Sequence, residues 1–207
     1  MLFIALNLII LFFSIIIHEI SHGYTALKLG DPTAKLSGRL TLNPISHIDI
    51  VGTIILPIML VVIRSPFLFG WAKPVPINPT NFKNPKRDIM LTSLAGPLSN
   101  LILAIIFAIF YRIFFLLGGS TNIFSRGFEY GTAINVLLFC FNLIPIPPLD
   151  GSKVLMFFLP DNIATTFRKI EPFGFIIIFG LFFLGILGGI LYPVMQFFLY
   201  ILLGTQI

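Results

Sequence analysis

Residues 2–22 read LFIALNLIILFFSIIIHEISH, an apolar run that ends in His18, Glu19 and His22. About 20 residues at 1.5 Å each cover the roughly 30 Å hydrocarbon core of a bilayer. The run therefore reads as a membrane-spanning helix with three ionisable groups at one end. A secretory leader also starts with an apolar stretch. Here no basic residue precedes the stretch and no small-x-small cleavage site follows, so it is expected to be retained.

The rest of the chain extends this reading. Of its 207 residues, 57% are hydrophobic and only 10% charged, with mean hydropathy +1.02; a soluble domain carries roughly 25% charged residues. Four further apolar stretches occupy residues 50–71, 89–117, 132–159 and 173–203. The expectation is an all-α polytopic membrane protein of four to six membrane segments. It would be one domain over 1–207, with a core at 1–160 and a C-terminal membrane hairpin or interfacial helix over 173–204. The lone Cys140, in an apolar run, reads as a small packing residue without a disulfide partner.

Two local features qualify the helical pattern. Over residues 36–42, Leu36, Leu40 and Leu42 alternate with Arg39 and Thr41 before Asn43-Pro44, which predicts a short membrane-associated β element after the first helix. Stretch 50–71 is interrupted by Pro57, Arg64 and Pro66, which predicts a re-entrant segment rather than a clean span. Charge agrees with this. Eight basic residues lie between His22 and Ile89 and only Arg126 lies between Leu117 and Thr132. A re-entrant 50–71 puts eleven of the thirteen basic residues on the cytoplasmic side, as the positive-inside bias favours. The N-terminus is then outside and the His18–His22 end of the first helix faces the cytoplasm. The net charge of +5 is what that bias produces. No aromatic-basic interleaving accompanies it, so nucleic acid is not an expected partner.

His18-Glu19-Ile20-Ser21-His22 has the H-E-x-x-H pattern. On a helix, positions i and i+4 share a face, so both imidazoles reach one metal ion. Glu19 then lies beside a metal-bound water and can take its proton. Zinc suits neutral imidazole and carboxylate ligands and keeps a fourth position open. Intramembrane ionisable residues are costly and mark function by default. A catalytic zinc usually needs a third protein ligand, for which His47, Asp49, Asp150 and, less readily, Glu129 are candidates. Asp150 follows Pro145, Pro147 and Pro148. These prolines remove backbone donors and break a helix, freeing the chain to turn a carboxylate inward.

Three stretches together resemble the site-2 protease family of intramembrane zinc metalloproteases, in its minimal form without a PDZ or CBS domain. They are residues 18–23, Ala95-Gly96-Pro97-Leu98-Ser99-Asn100, and the N-x-x-P-x-P-x-L-D-G element at 142–151. They occur in the family's order and frame nearly four-fifths of the chain. The resemblance implies that His18, His22 and Asp150 bind one Zn2+ per chain and that Glu19 is the general base. It further implies an active site inside the bilayer that cleaves transmembrane segments of other proteins. Residues 69–79 resemble the short bacterial and archaeal members, which implies a prokaryotic cell membrane. The insertion at 50–71 departs from the barest family core.

Four other polar residues have two readings each. Asn100 and Asn142 are either donors to a substrate carbonyl or oxyanion, or interhelical hydrogen-bonding amides. His47 and Asp49 are expected to support the ligands, or the local structure, through hydrogen bonds rather than bind the metal. Two competing functions are a transporter or metal-permeation protein using the His/Asp cluster, and a non-catalytic binder of membrane helices. The first would favour an inverted repeat, and none is visible. The second has no use for Glu19.

Overall fold

The computed structural model describes residues 2–64, 70–118 and 123–204, and among these the only regular structure is helical. α1 (Leu2–Lys28), α4 (Pro85–Gly118) and α9 (Ile186–Leu203) are long and apolar enough to cross a membrane. Between them in the chain come the short α2 (Thr33–Leu36) and α3 (Leu56–Val62), then α5 (Ile123–Asn142), α6 (Asp150–Phe158), α7 (Asp161–Arg168) and α8 (Gly174–Phe183). α8 has 10 residues, about 15 Å of helix, too little to cross a 30 Å core. Gly185, in the left-handed region at φ 74°, turns the chain from α8 into α9.

Side-chain contacts set the helix directions. Near its C-terminal end α1 places His22 against Thr92 of α4, and one helical stretch earlier Ser14 meets Asn100. The two helices are thus antiparallel. α5 runs antiparallel to α4 in turn, with Asn135 on Asn100 and the rings of Phe128 and Phe110 stacked at 5.3 Å. At the other end of α4, Arg112 donates to the Leu202 carbonyl (3.0 and 3.1 Å), capping the C-terminus of α9. Ala104, Ala108, Tyr111, Val136, Phe139, Cys140, Leu199 and Leu203 form the core between α4, α5 and α9. Small alanines there let backbones approach closely, as helix packing in lipid favours.

The β element expected over 36–42 is not present. Leu36 closes the helical turn α2, and residues 37–43 form an irregular loop through Gly38 at φ 65°. Burial explains the misreading. Leu36 and Leu42 are 81% and 59% exposed whereas Arg39 is only 7% exposed, the inverse of a half-buried strand. Arg39 points inward because its guanidinium donates to the Lys73 carbonyl at 2.6 Å.

Segment 50–71 enters as a π-helical turn, Ile50–Ile55, started by Asp49, whose carboxylate accepts from Val51 and Gly52 N–H. α3 follows, with Pro57 in its first turn, where a missing N–H costs nothing. Arg64 then takes φ 53°, while Pro66 lies outside the described residues. At residue 71 the chain is back beside its starting point. The Trp71 N–H donates to the Gly52 carbonyl (3.2 Å), and the Thr53 hydroxyl donates to the Trp71 carbonyl (2.8 Å).

From there a stretch without regular structure, residues 70–78, crosses the C-terminal end of α1. It is tied at Lys73 N–H to the His47 carbonyl, at Val75 N–H to Glu19 and at Asn78 N–H to Asp31. Asp31 is fully buried just past α1 and also accepts from Thr33 and from the Asn81 amide. Burial alone would raise its carboxyl pKa. The hydrogen bonds from Thr33, Asn81 and Asn78 outweigh that and hold it below the usual carboxylate value. A depressed folded-state pKa means Asp31 contributes stability above the unfolded value, near pH 3.9, and loses it as pH falls through the folded value. The Asp31→Asn variant should therefore unfold at lower temperature than wild type at pH 6. That gap should narrow as pH is lowered toward 3; thermal unfolding in detergent across this range checks it. A gap independent of pH would contradict the role given to the ionised carboxylate.

Candidate metal centre

Helical spacing on α1 puts the His18 and His22 imidazoles on one face, their Nε2 atoms 3.0 Å apart. Asp150, the first residue of α6, points Oδ2 at both from 3.2 Å. All three side chains are buried. The turn after α5 delivers the aspartate: Gly151 follows it so closely under the α5 terminus that a Cβ would stand 2.2 Å from the Leu143 carbonyl oxygen. On α4 the fit is as close. A Cβ on Gly96 would lie 2.4 Å from His22 Nε2 and 2.6 Å from His18 Cε1, so only glycine lets α4 pass the two rings.

The protonation states follow from the far side of each ring. His22 Nδ1 is 2.7 Å from the Thr92 carbonyl, which can only accept, so Nδ1 carries the proton. His18 Nδ1 is 2.6 Å from Asn100 Oδ1, and the orientation of that amide is fixed by a chain of partners. Asn135 Nδ2 donates to the Gly131 carbonyl and to Ser14 Oγ, which leaves Asn135 Oδ1 to accept from Asn100 Nδ2. Asn100 Oδ1 therefore faces His18 and accepts its proton. Both Nε2 atoms are left as bare lone pairs, turned toward each other and toward a carboxylate oxygen. Three acceptor atoms in mutual contact are a set that one metal cation can share. Their spacing suits zinc, since bonds of 2.0–2.1 Å in tetrahedral geometry give ligand edges of about 3.3 Å. Among the described residues, these three alone form a His, Cys, Asp or Glu group able to hold a metal.

Glu19 stands beside the triad. Its Oε2 accepts the Val75 N–H at 2.7 Å, and it lines a cavity of about 200 Å³ together with His18, His22, Asn142, Asp150 and Lys153. Asn142 faces this cavity while its amide nitrogen donates back to the Leu138 carbonyl. Asn100 is fully buried behind His18, with its amide held by Ser14 and Asn135. His47 is also fully buried, and its Nε2 donates to the Thr41 carbonyl. Asp49 caps the π-helical turn, and neither it nor His47 lines the cavity. Sequence reading missed Ser14, Asn135, Thr92, Val75 and Lys153. Ser14 and Asn135 did leave a trace, being polar residues within apolar helices.

An H-E-x-x-H helix closing on an aspartate as the third candidate ligand within an apolar helix bundle defines a membrane zinc metalloprotease. No family model matches the chain, and no solved structure does. Among curated relatives, it is 40% identical over 194 residues to “Putative zinc metalloprotease YwhC” of Bacillus subtilis, covering 91% of this chain and 84% of that protein. It is 28% identical over 165 residues to the Mycolicibacterium smegmatis protein Rip2, named in the same terms, covering 80% of this chain and 61% of Rip2. It is also 27% identical over 155 residues to “Zinc metalloprotease MJ0392” of Methanocaldococcus jannaschii, covering 74% of this chain and 34% of that protein. The chain belongs to this family of zinc metalloproteases, which is consistent with the site-2 protease-like family that its motifs resemble.

Purified protein should carry one zinc per chain by elemental analysis. Asp150→Ala and Gly96→Ala should lose it, whereas His47→Ala and Asp49→Ala should retain it. Asn100→Ala should bind zinc about 10- to 100-fold more weakly, the usual effect of removing a ligand's hydrogen-bond partner. Full occupancy in Asp150→Ala, together with metal loss in His47→Ala or Asp49→Ala, would overturn the assignment.

Proposed function

We propose that this protein hydrolyses peptide bonds in or near membrane-spanning segments of other proteins, at a site that opens toward the cytoplasm. The observation that carries this reading is Glu19, whose carboxylate shares a cavity with the three ligands without joining them. A permeation pathway or a helix-binding surface would have no use for a base so placed. Bound zinc would polarise the scissile carbonyl and acidify a water in the open position. With Oε2 held by Val75, Glu19 Oε1 takes the proton of the attacking water. The hydroxyl adds to the carbonyl carbon, and Glu19 returns the proton to the departing amide nitrogen. Asn142, on the cavity wall, is the amide positioned to donate to the carbonyl oxygen as charge develops on it.

The position of the site supports a membrane-embedded substrate. His18 lies ten residues before Lys28 at the basic end of α1, about 15 Å along the helix. A helical substrate has its carbonyls hydrogen-bonded and shielded, so it must unwind locally to be cut. Orientation rests on two observations. Basic residues concentrate on the side where α1 ends and α4 begins, and Trp71 returns to Gly52, which fits a re-entrant 50–71. Single cysteines at Lys35 and Lys83, in a Cys140→Ser background, should be labelled only from the cytoplasmic side. Labelling of the two from opposite sides would contradict this topology.

Glu19→Gln separates chemistry from metal binding. The variant should retain zinc and fold, while cleavage of a model membrane substrate falls by about 10²-fold or more. Near-normal cleavage by Glu19→Gln would remove the proposed mechanism.

A further inference from the structure

The zinc site does not end at its own cavity. Ile77, Ser93 and Lys153 are shared with a larger neighbouring cavity of about 350 Å³, whose polar lining includes Thr92, Arg168 and Glu171. A third cavity of about 360 Å³ continues outward past Lys153, Met156 and Arg168 to the exposed Lys86–Asp161 ion pair. Three neighbouring cavities thus follow one another along α6 and α7, and Lys153 lines all of them.

The groups lining them are short of partners. Lys153 Nζ is ion-paired with Asp150 Oδ1 at 3.7 Å, a contact too long to be a hydrogen bond. Arg168 has neither an ion pair nor a hydrogen bond among the described residues. The Thr92 hydroxyl is buried without a partner, though the same residue's carbonyl holds His22. On the middle cavity's own lining Lys153 and Arg168 face the single carboxylate of Glu171, and because Lys153 is also drawn on by Asp150, Arg168 is the cation without an ion pair among the described residues.

Peptide hydrolysis produces the anion this lining lacks. A neutral amide enters and a carboxylate leaves, in a site where an unpaired charge is costly. We propose that the middle cavity is a carboxylate subsite, in which Lys153 and Arg168 receive the new C-terminal carboxylate of the cleaved product. The proposal rests on the proteolytic reading above and adds a ligand class to it.

The test uses full-length, zinc-loaded Glu19→Gln protein in detergent and two fluorescein-labelled apolar hexapeptides. The peptides are identical except that one ends in a free carboxylate and the other in an amide. Fluorescence anisotropy should show the acid bound about tenfold more tightly, the ratio expected for one charge-assisted hydrogen bond. Arg168→Met, at an exposed position expected to tolerate the change, should abolish the preference, and Arg168→Lys should keep part of it. Equal binding of acid and amide overturns the subsite. So does a preference that survives Arg168→Met, because the carboxylate would then be held elsewhere. Cleavage of a model membrane substrate by wild type, run alongside, separates the two claims. Intact cleavage without acid preference overturns the subsite alone, whereas no cleavage by zinc-loaded wild type overturns the proteolytic reading and the subsite's role together.

Discussion

Two imidazole nitrogens and a carboxylate oxygen, all acceptors, face one another at 3.0–3.2 Å in the interior of an apolar bundle. In a low-dielectric surrounding such an arrangement is unfavourable without a cation, and burying a charge there is tolerable only when it is paired. Much of the surrounding structure maintains this triangle. α4 gives up a side chain at Gly96 to pass the rings, and Gly151 lets α6 start against the end of α5. Behind the rings, Thr92 and Asn100 accept the Nδ1 protons and leave the metal-facing nitrogens bare.

This support links three helices through polar groups that lipid cannot satisfy. Ser14 of α1, Asn100 of α4 and Asn135 of α5 exchange hydrogen bonds with one another and with His18. In hydrocarbon an unpaired amide is expensive, so the same bonds that fix the His18 tautomer also fix how the helices sit together. On the opposite side of the site, residues 70–78 hold Glu19 through the Val75 N–H. That stretch is itself anchored by Asp31, Arg39 and Trp71. The Glu19 carboxylate and the three clustered acceptors, although His18, Glu19 and His22 share α1, are thus held by contacts from separate parts of the chain. Under the proposed mechanism, a change in segment 70–78 would alter proton transfer while leaving metal binding intact.

What was legible in the sequence was whatever depends on local spacing. The i, i+4 histidines share a face by helical geometry, and the prolines before Asp150 announce a break that turns a carboxylate inward. Long apolar runs disclosed α1, α4 and α9. Alternation misled over residues 36–42, because Leu36 and Leu42 face outward and Arg39 inward, held by a carbonyl 34 residues away. The roles of Asn135 and Val75 depend on contacts between distant segments, and a single sequence holds no direct record of those. Gly96 stood in a recognised motif, but its reason is a steric one that appears only when α4 is seen against the imidazoles.

The central claim is a zinc ion held by two imidazoles and one carboxylate, with one position open. X-ray absorption at the zinc edge of the purified protein measures this directly. The account predicts a four-coordinate shell of nitrogen and oxygen at about 2.0–2.1 Å, with outer-shell scattering from two imidazole rings. One or three imidazoles, a sulfur at about 2.3 Å, or a six-coordinate oxygen shell would contradict it.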